Sequence, residues 1–185
     1  MRKLISIGCA ITITITAAPA HAQLAGRLSA EPFIAYGFFG GLPESTLEFQ
    51  ESVAYGGRVA YQMQPQWGLF GTFQRANPAV VQTVGGIEIE GEKRDVDHWS
   101  AGVEFSYVPR GGAEGMLPIL LEAGLGQARY EGGASDFAVN IGLASALALS
   151  PNFAIRYGVN DYISNYADNG VVNHVFARVG AELSF

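Results

Sequence analysis

The chain closes on "RVGAELSF", Arg178 to Phe185, and this octet alternates without a break. Val179, Ala181, Leu183 and Phe185 form one set, and Arg178, Gly180, Glu182 and Ser184 the other. A period of two is that of a β-strand, whose successive side chains point to opposite faces. Termini usually fray into polar disorder. A strand that keeps its period to the last residue must therefore pair with another strand, and the rest of the chain shows which.

Working outward, seven more segments alternate, over 28–39, 53–64, 67–75, 98–108, 118–130, 136–149 and 153–163; the closing strand extends back to 174. In "HWSAGVEFSY", Trp99, Ala101, Val103, Phe105 and Tyr107 oppose His98, Ser100, Gly102, Glu104 and Ser106. In "FAIRYGVNDY", Phe153, Ile155, Tyr157 and Val159 oppose Ala154, Arg156, Gly158 and Asn160. The alanines and leucines of "FAVNIGLASALAL" would suit a helix. Phe137, Val139, Ile141, Leu143, Leu147 and Leu149 nevertheless hold strand parity, so this segment too reads as a strand. "QPQ" (64–66) and "SPN" (150–152) are proline turns, and "PRGGAEG" (109–115) is a glycine-rich one. The connections over 40–52, 76–97 and 164–173 are longer, whereas "EGGAS" (131–135) is short and departs from that alternation of short and long.

Such a set of strands could close into a soluble barrel with its apolar face inside, or into a membrane barrel with that face outside. The polar faces decide. They read Ala54, Gly56, Arg58, Ala60; Glu122, Gly124, Gly126, Ala128; Ala138, Asn140, Gly142, Ala144; and Arg178, Gly180, Glu182, Ser184. Small residues with a few charges suit the cramped interior of eight strands rather than a solvated surface. The other faces are Leu, Ile, Val, Phe and Tyr. Trp67, Trp99, Tyr107, Phe153 and Tyr157 lie near segment ends, where a membrane girdle belongs. Segments of this length match the roughly 9–11 residues that a tilted strand needs to cross a bilayer. The expected fold is all-β: an eight-stranded antiparallel up-and-down transmembrane β-barrel, in which the terminal octet closes against the first strand because an open edge in hydrocarbon leaves backbone groups unsatisfied.

The other terminus agrees. Arg2 and Lys3 precede the almost uncharged "LISIGCAITITITAAP" (4–19) and a small-x-small "AHA" (20–22), the layout of a secretory signal peptide cleaved after Ala22. Two regions follow: 1–22, the cleaved leader, and 23–185, one barrel domain. Cys9, the single cysteine, lies in the leader, so neither disulfides nor thiolate metal sites are expected in the mature chain. Loss of Arg2 and Lys3 would leave nine basic and 17 acidic residues, moving the formal charge from −6 to −8. An acidic exported chain is a poor partner for nucleic acid. Lys93 would be its one remaining lysine, beside 24 glycines, 11 phenylalanines and 8 tyrosines in the whole sequence.

Arg178, Gly180, Leu183 and Phe185 resemble the C-terminal assembly signal of bacterial outer-membrane proteins: a polar residue, a glycine two later, then apolar residues third-last and last. "RYGVNDY" (156–162) resembles the Arg-x-x-x-x-Asp-Tyr pattern of the seventh strand of such domains. On these residues the chain is similar to the small outer-membrane β-barrel family of OmpA/OmpX type over 28–185. The resemblance implies a Gram-negative cell outer membrane, contact with its lipid and lipopolysaccharide, insertion by the barrel-assembly machinery, a monomer, and no cofactor.

A barrel hosts many activities, and three readings follow in order. The first is a structural or surface-interaction protein whose lumen is plugged by seven inward charges: Glu31, Arg58, Glu104, Glu122, Arg156, Arg178 and Glu182. Arg58 and Arg156 are the arginines expected to reach Glu104 and Glu122. Glu88, Glu90, Glu92, Asp95 and Asp97 in the longest connection could gather cations, though a solvated acidic hairpin is the simpler reading. The second is a conduit for small or hydrophobic solutes. The third is a lipid A-modifying hydrolase, because His98-x-Ser100 resembles the His-x-Ser pair of outer-membrane deacylases, with Glu104 nearby. Parity turns both side chains into the lumen and away from lipid, so no catalytic residues, and no metal ligands, are assigned. His174 also points inward near the rim and reads as a plain interior histidine.

Overall fold

The structure, a computed structural model, describes residues 26–41, 47–84, 87–108, 117–133, 135–165 and 170–185. The expected leader and its cleavage point lie outside the described residues. Eleven strands are present: β1 (Arg27–Phe39), β2 (Leu47–Phe49), β3 (Ser52–Gln64), β4 (Trp67–Ala76), β5 (Ala79–Val84), β6 (Ile87–Lys93), β7 (Val96–Tyr107), β8 (Ile119–Tyr130), β9 (Ser135–Ser150), β10 (Phe153–Asn165) and β11 (Val171–Ser184). Eight of them close into an antiparallel barrel in the order β1-β11-β10-β9-β8-β7-β4-β3. These eight are the segments whose alternation the sequence displays, within three residues at either end.

The terminal octet pairs with β1. Ser29 stands opposite Ser184, Phe33 opposite Gly180 and Phe38 opposite Val175. Beyond the strand, the Phe185 N–H donates to the Leu28 carbonyl at 2.8 Å. Full closure leaves no barrel edge to be satisfied from outside.

Parity sorts the wall into two surfaces. Ile34, Val53, Leu125 and Phe137 are about 60% exposed, whereas their inward neighbours Phe33, Ala54, Gly124 and Ala138 are buried. A continuous apolar surface of this size is untenable in water and is the natural boundary with lipid acyl chains. Inward glycines admit close approach: a Cβ on Gly126 would run into the Trp99 carbonyl and Ser100. The short β8–β9 turn depends on Gly132, whose φ of 75° suits glycine.

Two connections carry more than the period suggests. The stretches 40–52 and 76–97, expected as long connections with an acidic hairpin in the second, contain β2, β5 and β6, which form a separate three-stranded sheet in the order β2-β5-β6. β5 and β6 are a hairpin, with Thr83 opposite Glu88, and β2 adds through Glu48 opposite Val81. This sheet leans over the barrel mouth. Phe49 and Val80 pack onto Val96, Ala128, Tyr130, Ala138 and Val172 at the end where β7, β9 and β11 begin.

Candidate functional site in the barrel lumen

The lumen is filled in layers. At the end where β1 begins and β11 finishes sits a charged layer, built by the inward positions of β1, β3, β7, β8, β10 and β11. The Arg58 Nη2 donates to Glu104 at 2.5 Å, and its Nε lies 3.3 Å from Glu122. Arg156 Nη2 donates to Glu104 and, at 2.6 Å, to Glu122. Arg178 Nη2 donates to Glu122 at 2.7 Å, so three guanidiniums converge on one carboxylate. Arg156 also approaches Glu31 at 3.4 Å and Glu182 at 3.5 Å. The seven inward charges named from the sequence therefore stand in one connected cluster, and only Glu182 retains appreciable exposure, with 15% of its side chain accessible. Phe70 and Phe33 add ring faces to Arg58 and Arg178, at 5.2 and 5.5 Å.

Glu31 differs from the rest. Its carboxylate is buried, yet neither oxygen accepts a hydrogen bond, and its guanidinium neighbours are 3.4 Å away or farther. With four carboxylates to three guanidiniums, it is the surplus acid of the cluster.

Above the charges lies a neutral polar layer. Asn160 donates to Glu122 at 2.8 Å and to Asn140 at 3.1 Å, and Asn140 donates to Ser100 at 3.0 Å. This chain carries the hydrogen bonding from the ion cluster toward the mouth. A third layer follows. His98 of β7 and His174 of β11 come from strands four places apart in the ring of eight, which are diametrically opposed, and meet across the lumen with Nε2 and Nδ1 2.9 Å apart. Both are completely buried. Rings surround them: Tyr162 and Phe176 against His98, Phe39 and Tyr130 against His174, with Phe49 of the outer sheet stacked on Tyr130 at 6.0 Å.

His98 and Ser100 are buried in the lumen, where His98 meets His174 and Ser100 hydrogen-bonds with Asn140 and Tyr162. The structure does not bring them together as base and nucleophile facing lipid. The acidic connection is likewise divided. Asp97 takes a bidentate pair from Arg75 at 2.6 and 2.7 Å, and Asp95 lies 3.5 Å from the same guanidinium, while Glu90 and Glu92 are exposed. Among the described residues no group of three or more His, Cys, Asp or Glu side chains could hold a metal ion.

Sequence reasoning missed the inward aromatics and the histidine pair. The signal was available in part: Phe33, Tyr162 and Phe176 share parity with Glu31, Arg156 and Arg178, and both histidines lie at the outer ends of their strands.

No protein-family model and no curated protein matches the sequence. The fold, an eight-stranded transmembrane barrel, is that of the small outer-membrane barrels. The chain is similar to Ail, the attachment invasion locus protein of Yersinia pestis, solved with the heparin analogue sucrose octasulfate: TM-score 0.54, 19% identity, 88% of this chain and all of that one. It is also similar to OprG of Pseudomonas aeruginosa, with TM-score 0.62 and 10% identity over 87% of this chain and 96% of that one. Neisserial surface protein A is a third, at TM-score 0.55 and 13% identity over 86% and 96%.

Proposed function

We propose that this chain is a monomeric integral protein of the bacterial outer membrane with a structural or surface-interaction role. Its lumen is plugged, and its outer sheet is the surface it offers. The observation that carries the reading is the filling of the lumen by ion pairs, amides and crossed imidazoles, with Phe49 and Val80 packed over the mouth. An interior so filled stiffens the barrel and leaves little room for a solute. The sheet of β2, β5 and β6 is acidic, with Glu48, Glu88, Glu90 and Glu92 against Lys93. That charge opposes a polyanion such as the heparin analogue held by Ail and favours a basic partner.

On this reading residues 1–22 are a cleaved leader, and the mature chain begins at Gln23. Arg178, Gly180, Leu183 and Phe185 address it to the assembly machinery, and its outer wall meets phospholipid and lipopolysaccharide. The deciding experiment combines membrane fractionation with single-channel recording in planar bilayers. The protein should fractionate with the outer membrane, shift its gel mobility on boiling and conduct poorly. Recovery from the soluble periplasm would overturn the membrane reading, and a large conductance would replace the plug with a conduit for small solutes.

A further inference from the structure

The seam between β1 and β11 contains one interruption. Ala30 pairs with Leu183 and Phe33 with Gly180, but Glu31 and Pro32 have no ladder partner on β11. On its other side β1 is continuous, with Glu31 opposite Arg58 and Pro32 opposite Gly57. The cause is in the sequence. The Phe185 N–H donates to the Leu28 carbonyl. In an antiparallel pair hydrogen-bonded positions alternate, so the even-numbered residues of β1 turn their N–H groups toward β11. Pro32 stands at one of those positions without an N–H to give. The acceptor it should have met is the Ala181 carbonyl.

Ala181, which bears that carbonyl, borders a hollow. Pro32, Phe33, Ile34, Ile155, Val179, Gly180 and Ala181 line a shallow depression of about 340 Å³ in the outer face of the wall, with an almost wholly apolar lining. A backbone carbonyl without a donor is costly in hydrocarbon, where no water replaces the missing bond. Pro32 is five residues from the start of β1, roughly 16 Å along the strand and less after tilt, which places the hollow among acyl chains. Phospholipid acyl chains carry no hydrogen-bond donor at that depth.

We infer that this hollow binds a free medium-chain amphiphile whose apolar body carries a single hydroxyl, which donates to the Ala181 carbonyl in place of the absent Pro32 N–H. The inference rests on the membrane reading above. The volume is at the lower end of the roughly 300–1,000 Å³ usual for ligand pockets, so the apolar body is small. Specificity comes from the donor: an ether of equal length fills the same space and leaves the carbonyl unpaired.

The test uses the protein in lipid nanodiscs, with methyl-labelled isoleucine and valine, titrated with 1-decanol and with 1-methoxynonane. Resonances of Ile34, Ile155 and Val179 should shift saturably with the alcohol. The alcohol should bind about 2- to 12-fold more tightly than the ether after correction for partition into the same bilayer, the worth of one hydrogen bond. Pro32→Ala restores the N–H and should abolish this preference. Ala181→Phe, which fills the hollow, should abolish the saturable shifts of both probes. Equal affinities for the two probes, a preference that survives Pro32→Ala, or shifts that never saturate, as when bilayer lipid alone covers the wall, would each overturn the proposal. Heat-dependent gel mobility of every sample shows that the barrel is folded, which separates failure of the site from failure of the membrane reading.

Discussion

Arg156→Met is the sharpest perturbation of the lumen. The Arg156 side chain is 1% exposed and touches four carboxylates: Glu104, Glu122 at 2.6 Å, Glu31 at 3.4 Å and Glu182 at 3.5 Å. Methionine replaces much of the stem but none of the charge. It leaves four carboxylates facing Arg58 and Arg178 alone. Breaking a buried ion pair from one side costs about 3–5 kcal/mol, because the remaining charge is desolvated and unpaired. With an m-value near 2 kcal/mol/M, the urea midpoint should fall by roughly 1.5–2.5 M. Reversible unfolding from lipid vesicles measures this, and bilayer recording of the same protein should show raised conductance as water follows the unpaired carboxylates. Lys93→Gln, in the exposed β6, should change stability by no more than about 0.5 kcal/mol. Adding Glu104→Gln to Arg156→Met restores the original excess of one carboxylate and should recover a substantial part of the loss. A loss below about 1 kcal/mol for Arg156→Met, or no coupling with Glu104, would mean that water solvates these groups separately, and the plug would be refuted.

Three further outcomes are expected. Because Glu31 accepts no hydrogen bond and is the surplus acid, Glu31→Gln should cost less than about 1 kcal/mol; a loss as large as that of Arg156→Met in the same urea series would contradict its assignment. His98→Leu strands a buried nitrogen of His174 and should cost about 1–3 kcal/mol, whereas adding His174→Leu should recover most of that loss, since removing both partners is nearly neutral; thermal unfolding of the single and double variants tests the cross-lumen contact. Phe185→Ser should impair membrane insertion in cells far more than Ser184→Ala, and equal assembled amounts of the two on semi-native gels would discount the terminal signal.

Period and composition carried the fold. Alternation alone located eight barrel strands, since a period of two survives any register, and the small inward residues of β3, β8, β9 and β11 distinguished a cramped lumen from a wetted face. Parity also named the seven charges that cluster in the lumen, because Arg58, Glu104 and Arg156 each share a face with glycines and alanines. The partners of those charges were not legible. Parity says which face a side chain takes but not which opposing strand it meets, and that depends on closure and shear. So Glu122 gathers three arginines while Glu31 is left without a hydrogen bond, and His98 finds His174 across a ring that only closure creates. That the outer hairpin gains a third strand escaped notice for a related reason: β2 has three residues, too few to show a period, and its partner β5 lies beyond β3 and β4 in the chain. Pro32 was visible throughout. Its consequence depended on which neighbour its missing N–H faced, and the pairing of β1 with β11 alone decided that.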